Sequence, residues 1–255
     1  MLYFKKYQGC GNDFVIINNI ENKINLNTNQ IAFLCDRRFG IGADGFIEIV
    51  NIQKDFFKMN YYNSDGNLSS LCGNGSRCAV QFCFDIQLIS NKGSFESNGI
   101  VNKFEVLKES VKIEMNSISE IQNIGNHYVI NTGSPHFVIF EEKIKDKSII
   151  MPSREIRYSK DFPEGINVNW VEEMDNHLFV RTYERGVEDE TYSCGTGVTA
   201  SALVYANKNN LTEGHIKIKT KGGDFEIGFK KDSQLYKNVT LEGAAKKVFE
   251  GQITI

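Results

Sequence analysis

Two cysteines stand in the same short context far apart in the chain. Cys72 opens "CGNGSRCAVQFCFD" and Cys194 opens "CGTGVTASALVYANK". Each Cys-Gly-x-Gly follows a polar turn reached from an apolar run, "YYNSDGNLSS" in one case and "TYERGVEDETYS" in the other. Each then leads into a segment that is apolar or small around nearly its whole circumference, and a helix of that kind is buried on every side. Two such helices among many short strands predict an α+β fold of two pseudo-symmetric domains, each a mostly antiparallel sheet wrapped around a central helix. The cysteines are 122 residues apart in a chain of 255, which fits an internal duplication.

The strands are read from short alternating or apolar runs: "FVIINN", "FIEIV", "FKMNYY", "VKIEM", "YVINT", "FVIF", "LFVRTY", "HIKIK", "FEIGF" and "NVTLEG". A further helix is expected over about Thr28–Arg38, capped by Asn27 or Thr28 and ended near Gly40. The domain boundary falls near Met115–Ile121. This gives an N-terminal half of residues 1–117 carrying Cys72 and a C-terminal half of 118–245 carrying Cys194. The final strand, 246–255, is expected to return to the first half.

Composition narrows the partners. With 41% apolar residues and a net charge of −3, the chain reads as a soluble globular protein with no electrostatic call for nucleic acid or an anionic membrane. No apolar stretch approaches the roughly 20 residues that span a bilayer. The N-terminus lacks a secretory pattern, so the expected location is the cytoplasm and the six cysteines are expected as reduced thiols. None forms Cys-x-x-Cys, and His127, His136, His177 and His215 make no ligand pairing with them, so no metal is expected. Phosphate-loop and dinucleotide signatures are absent, and no cofactor is expected.

A helix start presents unpaired N–H groups and partial positive charge. It attracts a carboxylate and lowers the pKa of a thiol placed there. If the two halves face one substrate, a thiolate on one side can take a proton from a carbon while a thiol on the other returns one, inverting the centre. Cys10, Cys35, Cys78 and Cys83 read as inert small hydrophobes. A redox disulfide between Cys72 and Cys194 is the competing thiol chemistry.

The motifs "GCGNDFVIINN", "RRFGIGADG", "YYNSDGNLSSLCGNGSRC", "NTGSPHFV", "FPEGINVNW", "YERGVEDETYSCGTG" and "LEGAAKKVFEGQITI", in that order, resemble the diaminopimelate epimerase family over essentially the whole length. The resemblance implies interconversion of LL- and meso-2,6-diaminopimelate without pyridoxal phosphate or metal, serving lysine and peptidoglycan synthesis, often by homodimers. It implies Cys72 and Cys194 as the acid–base pair. Gly73, Asn74, Gly195 and Thr196 would bind the carboxylate beside the reacting carbon. Glu184 would hold the ammonium and support the chemistry, and Arg185 would grip the distal carboxylate. Asn12, Asn63 and Asn167 would add polar contacts, and His136 would support the cysteines.

Taken alone, Asn12 and Asn63 read as turn residues, "ERG" as a solvated pair and His136 as structural. Two departures affect the distal end: Ser134 stands where many relatives have Asn, and Gly45 where some have Gln. Related proline or hydroxyproline epimerases, and a non-catalytic dicarboxylate-binding protein, are the alternatives; neither a cyclic substrate nor a simple binder explains both Arg185 and the thiol pair.

Overall fold

The computed structural model describes residues 1–69 and 72–255, and within them the alternating runs pair as strands. Ser70 and Leu71, part of the polar turn read ahead of Cys72, lie outside the described residues. The chain divides into two units, Met1–Ile113 with Gly243–Ile255, and Glu114–Glu242.

The first unit opens with a hairpin of β1 (Leu2–Gly9) and β2 (Asn12–Asn18). Both turn residues have positive φ, 52° at Cys10 and 87° at Gly11, the twist that a two-residue hairpin loop needs. Helix α1 (Thr28–Cys35) leads to β3 (Gly45–Gln53), which lies parallel to β2 and antiparallel to β4 (Phe56–Asn63). Helix α2 (Gly73–Asp85) leads to β5 (Lys92–Ser97), parallel to β4. The strands β6 (Ile100–Val106) and β7 (Val111–Glu114) follow antiparallel. The last strand, β17 (Lys246–Ile253), pairs with β1.

The second unit repeats this order. β8 (Ile121–Ile124), β9 (His127–Asn131) and β10 (Pro135–Phe140) pair antiparallel. Helix α3 (Ile150–Arg157) leads to β11 (Asn167–Glu173), parallel to β10 and antiparallel to β12 (Leu178–Glu184). After the short β13 (Asp189–Thr191), helix α4 (Gly195–Lys208) leads to β14 (Glu213–Lys219), parallel to β12. β15 (Asp224–Asp232) pairs with β14, and β16 (Leu235–Gly243) follows. Hairpin, helix, hairpin, helix, hairpin thus occurs twice, with parallel joints at the same two places. The pairing is mixed, with antiparallel ladders in the majority.

The central helices are buried as a non-amphipathic stretch must be: ten of thirteen residues in α2 and ten of fourteen in α4. The other helix of each unit covers the opposite face of its sheet. Val15 and Ile17 of β2 join Ile31 and Leu34 of α1 in one core, while Phe14, on the other face, reaches the start of α2 at Gly75. In the second unit, Val168 and Trp170 pack on the α3 side, where Trp170 Nε1 donates to Ser153 Oγ at 2.9 Å.

Two readings from sequence need correction. The first helix stops at Cys35 rather than running on to Arg38. Asp36 takes extended backbone angles, and its carboxylate accepts the N–H groups of Arg38 and Phe39, both at 2.7 Å. Those side-chain bonds outcompete another helical turn. Helix α3 has no counterpart in the sequence reading; Pro152 falls in its first turn, where the missing N–H costs nothing. No helix among the described residues is long and apolar enough to cross a membrane.

Candidate active site

In the first unit, Cys72 is the N-cap of α2, and its sulfur accepts the N–H of Gly75 at 3.4 Å. Its thiol faces Asn12 Oδ1 at 3.7 Å. Asn12 is oriented from behind, since its Nδ2 donates to Asp44 Oδ2 at 2.6 Å. Asp44 in turn accepts from Arg37 at 2.6 Å, and the same guanidinium forks onto Asp13 at 2.6 and 3.0 Å. Buried Lys6 closes the group, 2.7 Å from Asp13 and donating to Gly42 O. Burial pushes the Asp13 carboxyl up, but Arg37 and Lys6 outweigh it and hold it well below the usual carboxylate range.

Gly73 and Asn74 form the first turn of α2. Beneath them lies Arg77, wholly buried, which donates to Gly73 O at 3.2 Å and Asn74 Oδ1 at 2.8 Å and approaches Cys10 Sγ at 3.7 Å. A buried cation under a helix start adds to the positive potential there. The fifth expected residue, Asn63, stands apart from this bonded group. It is exposed at the end of β4, across the ladder from Gly45.

In the second unit, Cys194 is the N-cap of α4 and is 8% exposed. Its sulfur lies 3.4 Å from Thr196 Oγ1. Thr196 Oγ1 is 3.2 Å from Ser134 Oγ, and Ser134 Oγ is 3.0 Å from His136 Nε2. The other ring nitrogen, Nδ1, is 3.0 Å from Asn169 Nδ2. Sheet register assembles this row. In the parallel β10–β11 ladder Val138 faces Asn169, and in the β11–β12 ladder Asn169 faces Thr182. His136, Asn169 and Thr182 therefore share the face that lies under α4. Burial drives the His136 pKa down to about 3, so the ring is neutral.

Asn167, on the same face, uses its whole amide within the protein. Nδ2 donates to Ser134 Oγ and Pro135 O at 3.1 and 2.9 Å, and Oδ1 accepts the Arg185 N–H at 2.9 Å. Half-buried Glu184 ends β12, and the Arg185 guanidinium donates to Glu164 O at 3.1 Å. Ser134, which stands where many relatives have Asn, is bonded into the row behind Cys194.

Cys35, Cys78 and Cys83 are deeply buried thiols. Burial pushes Cys35 up to about 12, and raises Cys78 and Cys83 further. Sequence reasoning missed Arg77 and Asn169. The available signal for Asn169 was its alternation with Asn167 in the otherwise apolar "INVNWVEE", two amides on one face of a buried strand.

Solved structures define the class first. A PhzF-family phenazine biosynthesis protein of Bacillus anthracis matches with a TM-score of 0.78 at 14% identity, covering 100% of this chain and 99% of that one. A hydroxyproline epimerase of Agrobacterium vitis, solved with trans-4-hydroxy-L-proline, matches with a TM-score of 0.69 at 12% identity, covering 99% and 92%. At such identities the likeness is one of fold, a duplicated architecture shared by these proteins. Sequence then narrows the class: a profile described as diaminopimelate epimerase matches residues 4–122 and 128–248, and the chain belongs to the diaminopimelate epimerase family. The diaminopimelate epimerase of Flavobacterium psychrophilum is 42% identical, covering 97% of this chain and 98% of its own. That of Chlorobaculum tepidum is 36% identical, covering 97% and 99%.

Proposed function

We propose that this isomerase interconverts LL- and meso-2,6-diaminopimelate by acid–base catalysis between Cys72 and Cys194, without a cofactor. One sulfur, as thiolate, takes the α-hydrogen as a proton. The electron pair left on carbon is delocalised into the adjacent carboxylate. The other sulfur, as thiol, delivers its proton to the opposite face, and the pair is left with the reverse protonation. First-turn N–H groups at Gly73 and Asn74, and at Gly195 and Thr196, stabilise charge on that carboxylate as it develops. Glu184 holds the reacting ammonium, and Arg185 receives the distal carboxylate in place of the Glu164 carbonyl. Asn12 and Asn167 act by fixing their neighbours, and Asn63 is the outermost polar contact.

The observation that supports this most is the repeated placement of a cysteine as N-cap of the buried central helix in each unit. Exposed Tyr3, Val248 and Phe249 on β1 and β17 support a homodimer. The activity belongs to lysine and peptidoglycan synthesis in the cytoplasm, with the small diacid as sole substrate.

The test is incubation with LL-diaminopimelate in deuterated water under reducing conditions. Deuterium should enter at the α-carbon together with inversion, and Cys72→Ala or Cys194→Ala should abolish inversion. Inversion that survives either substitution refutes the two-thiol mechanism, and a wild type that exchanges nothing refutes the assignment.

A further inference from the structure

The hydrogen-bond row behind Cys194 has one consistent direction. Phe137 O can only accept, so Asn169 turns Nδ2 toward it at 3.3 Å, while Thr182 Oγ1 donates to Oδ1 at 3.0 Å. The same Nδ2 then donates to His136 Nδ1. A neutral imidazole that accepts at Nδ1 carries its proton on Nε2, which donates to Ser134 Oγ. Asn167 Nδ2 also donates to that oxygen, its amide oriented by the acceptor Pro135 O and the donor N–H of Arg185. With both lone pairs of Ser134 Oγ engaged, its own proton goes to Thr196 Oγ1. The Thr196 proton is thereby directed at Cys194 Sγ. A hydroxyl that donates to sulfur favours the thiolate over the thiol. A doubly protonated His136 would have to drive the Asn169 amide over against Phe137 O and Thr182, and burial of the ring opposes that charge.

Cys72 meets a mixed pair of partners: the Gly75 N–H donates to its sulfur at 3.4 Å, while an acceptor faces its proton. Asp44 claims Asn12 Nδ2, which leaves the carbonyl oxygen of the amide facing the sulfur at 3.7 Å. A carbonyl in that position favours S–H.

We propose that Ser134 and Asn169 are positioning residues that hold the proton off Cys194, so that the resting enzyme carries a thiolate there and a thiol at Cys72. The proposal rests on the reading of these two thiols as an acid–base pair. It fixes the first step: the resting enzyme accepts the isomer whose α-hydrogen is presented to Cys194, and the other isomer must wait for the proton to change sides.

The experiment is site-resolved alkylation by iodoacetamide across pH, read by peptide mass analysis in wild type, Ser134→Ala, Ser134→Thr and Asn169→Ala. In wild type, half-maximal alkylation of Cys194 should fall at lower pH than that of Cys72. Ser134→Ala should raise the Cys194 midpoint by about one unit, the tenfold effect of one hydrogen bond to a charged group, and leave Cys72 in place. Ser134→Thr, which keeps the hydroxyl, should restore it, and Asn169→Ala should shift it the same way. A Cys72 midpoint below that of Cys194, a Cys194 midpoint unmoved in Ser134→Ala, or equal shifts at both sulfurs overturns the proposal. If wild type exchanges no deuterium yet Cys194 shifts as described, the epimerase reading fails and the directed row stands.

Discussion

Gly197 and Gly75 occupy the same place in the two Cys-Gly-x-Gly motifs, and alanine should affect them unequally. A methyl group at Gly197 would lie 2.4 Å from Asn169 Oδ1 and 3.2 Å from both Cys194 Cβ and Thr182 Oγ1. Asn169 cannot retreat freely, because one end of its amide is held by Thr182 and the other by Phe137 O and His136. Overpacking costs about 1–3 kcal/mol, and one or two broken buried hydrogen bonds add about 1–3 kcal/mol. Removing a helical glycine returns at most about 1 kcal/mol. The net destabilisation of Gly197→Ala is therefore about 3 kcal/mol. At Gly75 the added carbon meets only Ile47 Cδ1 and the Phe14 ring edge, both at 3.3 Å. These are the far ends of side chains and can give, so Gly75→Ala should stay within about 1 kcal/mol of wild type. In scanning calorimetry, Gly197→Ala should melt about 8 °C lower and Gly75→Ala within about 3 °C of wild type. The displaced Asn169 should also lower kcat more than it raises KM in Gly197→Ala. Equal melting temperatures for the two variants would refute the claim that a rigid amide under α4 makes glycine obligatory there.

Two further outcomes are expected. His136 is neutral in the folded protein because burial depresses its pKa from 6.5 to about 3, so between those values the unfolded chain binds the extra proton. This contribution to stability is complete above pH 6.5 and is lost as pH falls through that window, amounting to about 2 kcal/mol at pH 5. Denaturant unfolding at pH 7 and pH 5 should show that extra loss in wild type and not in His136→Gln; identical pH dependence in both would refute it. Arg185→Ala should cut kcat/KM for diaminopimelate by about 10²- to 10³-fold, the worth of two charge-assisted hydrogen bonds. Unchanged kinetics would remove Arg185 from the distal carboxylate.

The parts of this fold that were legible depend on local pattern. A segment small or apolar on all faces is buried wherever it lies, so α2 and α4 were readable from "CGNGSRCAVQFC" and "CGTGVTASALVY" without knowing their neighbours. Helix α3 was not, because Pro152 is a breaker inside a helix and harmless in its first turn, and only the finished structure says which applies. The site divides in the same way. Thiols at helix starts can be read from one motif. The row of His136, Asn169 and Thr182 comes from three strands and exists only through the register of two ladders. Arg77 lay equally out of sight, since a charged residue one turn into a buried helix reads as an anomaly until Gly73 O and Asn74 Oδ1 are seen to receive it.

Ser134 shows why a departure from a family pattern need not be a loss. At a position where the resemblance implies an amide, the hydroxyl brings acceptor and donor together on one atom. It receives His136 and Asn167 and passes its own proton to Thr196. An amide divides those roles between oxygen and nitrogen and could not make the same turn through a single point. The consequence reaches the duplication itself. Inversion at carbon needs one side to take a proton and the other to give one, yet the repeat places a cysteine at the N-cap of a buried helix in both units. Side chains that the two halves do not share add to the difference: a carbonyl held toward Cys72 by Asp44 through Asn12, and the hydroxyl of Thr196, the variable residue of the second Cys-Gly-x-Gly, aimed at Cys194 by Asn169 through His136 and Ser134. The repeat provides two places where a thiolate can be stabilised, and the unrepeated partners decide which of them holds it before substrate arrives.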